Sequence, residues 1–415
     1  MCILSAFAMF FVILGHIKFG YVEFNEAGTL AGWFPYYSFH LPIFLFISGY
    51  FFKGHESSPK LQLPHFTIRA FAELSLHLKN RSSTKDRSYK ENSSTNGNRF
   101  CIFLGTFILK KAKSLLLPYF VINGIFLLIN NLLSSQGFTY VKPFSFEQWL
   151  IYPWTKLYVI DLSAPTWYLI AIFIAEVYFV LLRKLASVIL KNDLAKEIAL
   201  LVFTLALGVF SVYTKNTAGI SETLAVYLRS AAMLFFMQLG VFYKKYLEAR
   251  DHAPSGWYFL IVLALQFLII TISKNNDLNP QLYQLTGFDA FGLNYFLAGI
   301  TGTALWLRVS KLLSQIPGKS RFLIFVGSNT KYIMAFHLTG FFLLNLLFGA
   351  LKTTGFGKTF LSSFSSGYFK GYLYYTCIDN PRMIILYFFA GLAFACLISF
   401  IISKVKFVCS REPRS

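Results

Sequence analysis

The stretch FHLPIFLFISGYFF, residues 39–52, decides the fold. It is apolar enough to be most of a membrane span. Yet it opens with a histidine and a proline, and it closes on Ser48, Gly49 and Tyr50. A lipid-facing segment has no use for a titratable imidazole at one end and a small polar kink at the other, so the surrounding chain has to explain both.

The 415 residues are 56% hydrophobic and 19% aromatic, with only 13% charged and a mean hydropathy of +0.56. Soluble domains average roughly 45–50% apolar and about 25% charged residues. Apolar runs recur to the C-terminus, which predicts an all-α, polytopic integral membrane protein. No basic stretch precedes residues 2–14 and no A-x-A site follows, so a cleaved signal is not expected. The five cysteines have no zinc or C-x-x-C spacing, so they read as packing residues and no metal is expected.

About ten spans are expected, at 2–18, 34–52, 114–134, 166–182, 197–214, 225–243, 257–273, 288–307, 325–350 and 384–403. With the N-terminus in the cytoplasm, the inside segments hold 27 Lys/Arg and the outside segments nine. That threefold bias places both termini in the cytoplasm. The net charge of +20 is then mostly a topology signal and argues against nucleic acid. The expected organisation is a membrane domain over 1–403 and a short basic tail over 404–415. A polar, basic and partly disordered cytoplasmic insertion over 54–109 interrupts the domain. Residues 65–79 read as a short amphipathic helix on the inner leaflet.

Ionisable groups inside spans are costly and usually face the protein interior or a water-filled cavity. His16 ends the run AFAMFFVILGH at the outer end of span one. It reads either as a general base titrating near neutrality or as an interfacial histidine satisfied by water. His40, near the outer end of span two, reads as a helix-start residue with Pro42 in the first turn, or as a functional partner of His16. Ser48 and Gly49 read as close helix packing, or as room for a ligand chain. His337 lies on a helix that starts at Gly327–Thr330, with Lys331 snorkelling to the interface. Arg229 either snorkels outward or pairs with a carbonyl or substrate oxygen. Trp167 and Tyr168 fit an aromatic belt. Glu176 is a mid-span carboxylate that needs a partner or a proton. His55, His65, His77 and His252 read as solvated surface. No G-x-S-x-G elbow, P-loop or H-E-x-x-H occurs.

The blocks FFVILGHI (10–17), FPYYSFHLPIFLFISGYFFK (34–53), KKAKSLLLPYFVINGIFLL (110–128), TWYLIAIFIAEVYF (166–179), FFMQLGVFYKK (235–245) and VGSNTKYIMAFHL (326–338) resemble, in order, those of the membrane acyltransferase-3 family. These are bacterial O-acyltransferases of surface polysaccharides, including a fucose 4-O-acetylase-like branch. The resemblance implies transfer of acetyl from acetyl-CoA to a sugar hydroxyl of a polysaccharide or lipid-linked glycan precursor, in the bacterial inner membrane. It implies His16 as catalytic base with His40 as the matching span-two histidine. Ser48, Gly49, Tyr50, Trp167 and His337 match further family positions, and Arg229 is placed with them along the donor path. Many members carry an arginine eleven residues before the span-one histidine; here that position is Ser5, and the upstream aspartate position is Cys2. Three readings follow: an upstream start, a substitute cation such as Lys53, Lys110, Lys111 or Lys113, or a degenerate copy. The rival function is a polysaccharide or lipid transporter without acyl chemistry, which predicts internal symmetry that the sequence lacks.

Overall fold

The computed structural model describes residues 1–18, 34, 36–52, 88–139, 141–143, 145–273, 280–289, 291–316, 318, 320–354, 361–362, 364–371, 376–377 and 382–411. Among them every element is helical, apart from one isolated bridge between Gln281 and Thr286. Two compact units result: Met1–Phe51 with Ser114–Ser415, and Phe52–Lys113.

Helices occupy all ten expected positions in the larger unit. They are α1 (Cys2–Lys18), α2 (Tyr36–Tyr50), α4 (Leu117–Ser135), α5 (Trp167–Ile189), α6 (Asp193–Thr217), α7 (Glu222–Ala232) continued by α8 (Leu234–Phe242), α9 (Ser255–Ser273), α10 (Leu293–Ser314), α11 (Arg321–Ser328) with α12 (Thr330–Leu351), and α13 (Met383–Arg411). Among the described residues, seven helical stretches are long and apolar enough to cross a membrane. The outer faces are apolar: Leu260, Ile261, Phe267 and Leu268 on α9 are all exposed. Such a surface would aggregate in water, and a bilayer is the solvent that accepts it.

The smaller unit contains α3 (Ser88–Lys111). Its helix begins at Ser88, within the 54–109 stretch expected to be a partly disordered insertion. Residues 65–79 and Lys53 lie outside the described residues.

Two apolar seams set the geometry of the larger unit. In the first, Phe11 of α1 packs edge-on to Phe39 of α2 at 5.0 Å and against Trp306 of α10 at 4.7 Å. Aromatic pairs at these separations add about 0.5–1.5 kcal/mol each beyond area burial. The second seam joins α2 to α8, backbone against backbone. A Cβ placed on Gly49 would lie 1.8 Å from the Met237 carbonyl oxygen, and one on Gly240 would lie 2.0 Å from that of Phe46. Gly49 is therefore a helix-contact residue. Gly49→Ala is expected to force the helices apart at a cost of at least about 1–3 kcal/mol. Thermal unfolding in detergent would show a lowered midpoint, with Ser48→Ala as the neighbouring control. An unchanged midpoint for Gly49→Ala would refute this contact.

Helix α2 starts at Tyr36, so Pro42 sits in its second turn and not its first. Proline has no N–H to give to the Ser38 carbonyl, which weakens the helix beside His40. His40 is likewise no cap: it lies inside the helix, bonded to the carbonyl one turn back.

Charged residues counted as loop signals turn out to be inside helices or paired. Arg183 extends α5 past its apolar run, and Arg308 lies within α10. Arg308 and Lys311 both reach Asp251, Lys311 at 2.6 Å. Tyr243 donates its hydroxyl to the same carboxylate at 2.8 Å. Burial opposes ionisation of Asp251, but these donors outweigh it and hold the carboxyl below its ordinary range.

Candidate active site

One face of each of four helices lines two cavities. On α2 that face is Tyr37, His40, Leu41, Phe44 and Ser48, the 3–4 spacing of a single helical stripe. Ser5, Val12 and His16 form the corresponding stripe on α1. On α5 it is Tyr168, Leu169 and Ile172, and on α12 it is Thr330, Lys331 and Met334. From Tyr37 to Ser48 the stripe runs roughly 16 Å along the helix.

The first cavity, about 240 Å³, lies at the His16 end. His16, Tyr37, His40, Trp167 and Tyr283 line it, with Gln281 and Gln284 from the loop before α10. His16 and His40 thus share one space, as neighbouring spans require. The Tyr37 hydroxyl donates to the Gly15 carbonyl at 3.1 Å, latching the end of α1 to α2 beside His16.

His337 does not line this cavity; it lies behind His16, fully buried, with ring centroids 5.1 Å apart. The His337 Nδ1 lies 3.1 Å from the Ile333 carbonyl. A carbonyl only accepts, so Nδ1 carries the hydrogen and Nε2 keeps the lone pair. That Nε2 is buried and has no hydrogen-bond partner. His40 repeats the arrangement, its Nδ1 bonded to the Tyr36 carbonyl. The backbone therefore sets two imidazoles in the same tautomer, each with a basic Nε2.

Arg229 is 1% exposed, so it does not snorkel outward. Its guanidinium lies 4.9 Å from the Trp167 ring centroid and 5.7 Å from that of Tyr283, and it donates to the Tyr283 carbonyl at 3.3 Å. A desolvated cation over two aromatic faces contributes about 2 kcal/mol or more at its strongest ring. Arg229 thus fixes two walls of the cavity from behind. The Tyr283 hydroxyl donates to the Leu157 carbonyl, tying this loop to the segment before α5. Asn123 of α4 bonds both Ser163 and Thr166, which holds the Ala164–Pro165 wall.

Asp161 begins that wall segment. Burial pushes its carboxyl up to about 6, against the opposing pull of Lys142. An unfolded aspartate titrates near about 4. The folded chain therefore holds the extra proton, and stability falls as pH rises from about 4 to about 6. The loss is on the order of 3 kcal/mol. Asp161→Asn is expected to flatten this dependence, read as unfolding midpoints at pH 4.5 and 7. A variant that keeps the wild-type slope would remove Asp161 as its cause.

The second cavity, about 310 Å³, lies at the Ser5 end. Ser5, Ser48, Thr330 and Lys331 line it, with Cys2 and Gly327. Lys331 does not simply reach for an interface; it faces this cavity, its Nζ 5.0 Å over the Tyr332 ring. Among the described lining residues it is the one charged side chain. Lys110, Lys111 and Lys113 belong to the smaller unit.

Tyr50 faces neither cavity. Its hydroxyl donates to Glu248 at 2.7 Å, and Lys244 lies 4.9 Å over its ring. Of the motif Ser48-Gly49-Tyr50, then, only Ser48 meets a cavity. Sequence reasoning passed over Tyr37, Phe44, Met334 and the Gln281–Gln284 loop. The first two were legible as the helical stripe through His40, and Met334 as one turn before His337. The loop carried no periodic signal.

A family model described as an acyltransferase domain matches residues 3–404. No curated protein and no solved structure matches the chain.

Proposed function

Because this chain belongs to the membrane acyltransferase-3 family, matched over nearly its whole length, we propose that it is an acetyl-CoA-dependent O-acetyltransferase of the bacterial inner membrane. Its acceptor is a sugar hydroxyl of a surface polysaccharide or of a lipid-linked precursor, and both termini face the cytoplasm. The observation that carries this reading is the polarity of the path along the four helices. Two histidines face one cavity, and a cation faces the other.

Coenzyme A is too highly charged to cross a bilayer, so its thioester enters from the cytoplasmic, Ser5-end cavity. Lys331 offers a phosphate the charge that the family arginine supplies elsewhere, since it faces the same cavity as Ser5. The acceptor hydroxyl enters at the His16 end. As its oxygen attacks the thioester carbonyl, its proton passes to His16. The carbon–sulfur bond then breaks and the departing thiolate takes that proton, leaving an ester and free coenzyme A. His40 lines the same cavity and, with its lone pair on Nε2, accepts from a second, neighbouring hydroxyl of the sugar.

The test is membrane vesicles given labelled acetyl-CoA, with label followed into polysaccharide and lipid-linked glycan. Transfer that depends on the chain supports the reading, and its absence overturns it. Ser5 favours a second reading, a degenerate homologue. On that reading transfer is absent from the natural chain and appears with Ser5→Arg.

A further inference from the structure

The two cavities share three lining residues, one from each of three helices: Phe44 of α2, Tyr168 of α5 and Met334 of α12. We propose that these side chains form a closed gate in a single path through the helix bundle, and that the gate opens to admit the acyl-thioester end of the donor. What crosses rests on the acyl-transfer reading; the gate itself rests only on the two cavities.

The physical case starts with leakage. A path with polar groups at both ends would carry water and ions if it stayed open. A short apolar constriction stops this by dewetting. The septum has that character: the Phe44 and Tyr168 rings lie 6.2 Å apart, tilted 52°. Met334 is 7% exposed and completes the barrier. A methionine has three rotatable side-chain bonds, so it leaves such a position without moving its helix.

Tyr168 adds an independent sign of an open state. Its ring is 94% buried, since the residue is 6% exposed, and its hydroxyl has no hydrogen-bond partner. Buried hydroxyls are normally satisfied, and an exception calls for a reason. Here the reason is a polar atom that arrives only when the gate opens. The thioester carbonyl is such an atom, and it accepts. Moving three side chains opens a slit, which fits a slender acyl arm and excludes a sugar ring. The donor therefore crosses the septum and the acceptor does not.

Cys2 lines the Ser5-end cavity and is exposed, so the chain carries its own probe. The experiment uses the full chain with its other four cysteines replaced by serine, in vesicles of both orientations. A small, permanently charged methanethiosulfonate is applied to one face at a time. The wild-type gate is expected to allow modification of Cys2 from one face only. Phe44→Ala/Met334→Ala is expected to allow it from both faces, at comparable rates. Met334→Ala alone is expected to give measurable modification from the second face. Ile172→Ala, in the Ser5-end cavity but outside the septum, is expected to stay one-sided. Modification from the first face reports that each variant is folded and inserted. One-sided modification in both gate variants overturns the proposal, as does two-sided modification of the wild type. The readout requires no acyl transfer, so a failed gate and a failed acyltransferase assignment are told apart.

Discussion

His16→Ala is expected to lower acyl transfer by about 10²–10⁴-fold, the usual contribution of a positioned general base. Three features make this the largest effect on activity. His16 faces the cavity that also holds His40 and Trp167. It stands at the last turn of α1, where the Tyr37 latch to Gly15 restrains the backbone. His337 sits directly behind it and presents an unpartnered basic Nε2. That Nε2 makes no hydrogen bond, so His337 acts on His16 through the ring contact, which holds the imidazole in its orientation toward the cavity. Because His16 is only half-buried, its loss should leave the fold standing. The check is the initial rate of labelled acetyl transfer, with thermal unfolding measured on the same preparation. Transfer within tenfold of wild type, at unchanged stability, would sink the assignment of His16 as base. His337→Ala is expected to act on the same step, mainly through turnover and less through the apparent affinity for donor.

The largest effect on stability is expected at Glu197, a residue the sequence did not single out. Its side chain is wholly buried at the start of α6. Arg183 grips both its oxygens, at 2.7 and 2.8 Å. Lys245 donates at 2.7 Å, and so does the Gln238 amide. One carboxylate therefore joins the end of α5, the start of α6, α8 and the residues after it. Glu197→Ala leaves Arg183 facing a dry site, with its side chain only 13% exposed. Removing one partner of a buried pair costs about 3–5 kcal/mol, most of it from the charge left behind. Glu197→Gln keeps the shape and part of the hydrogen bonding, so it should fall between. Unfolding midpoints in detergent check both. A loss under about 1 kcal/mol for Glu197→Ala would mean that lipid or water compensates Arg183.

These two residues mark how far the sequence could be read. His16 was legible because an imidazole ending an apolar run stands out against its neighbours. Glu197 was not, because it sits among Lys191, Lys196 and other charges that look like a solvated loop. Pairing among segments 14 to 48 residues apart leaves no periodic trace. Gly49 shows the same limit differently. Its sequence admitted close packing or room for a ligand chain, and only the structure shows that a Cβ there would collide with the Met237 carbonyl.

The sequence by itself determined the helical membrane architecture, the family and the candidate histidines of α1, α2 and α12. Those follow from hydropathy, from helical spacing and from ordered motifs, which are local properties. Only the tertiary structure decided that Lys331 shares a cavity with Ser5, that Arg229 props Trp167 and Tyr283, and that Phe44, Tyr168 and Met334 divide the path in two. The physical reason is that each depends on which helix faces meet. A greasy stripe carries enough information to be buried, but not to name the stripe it is buried against.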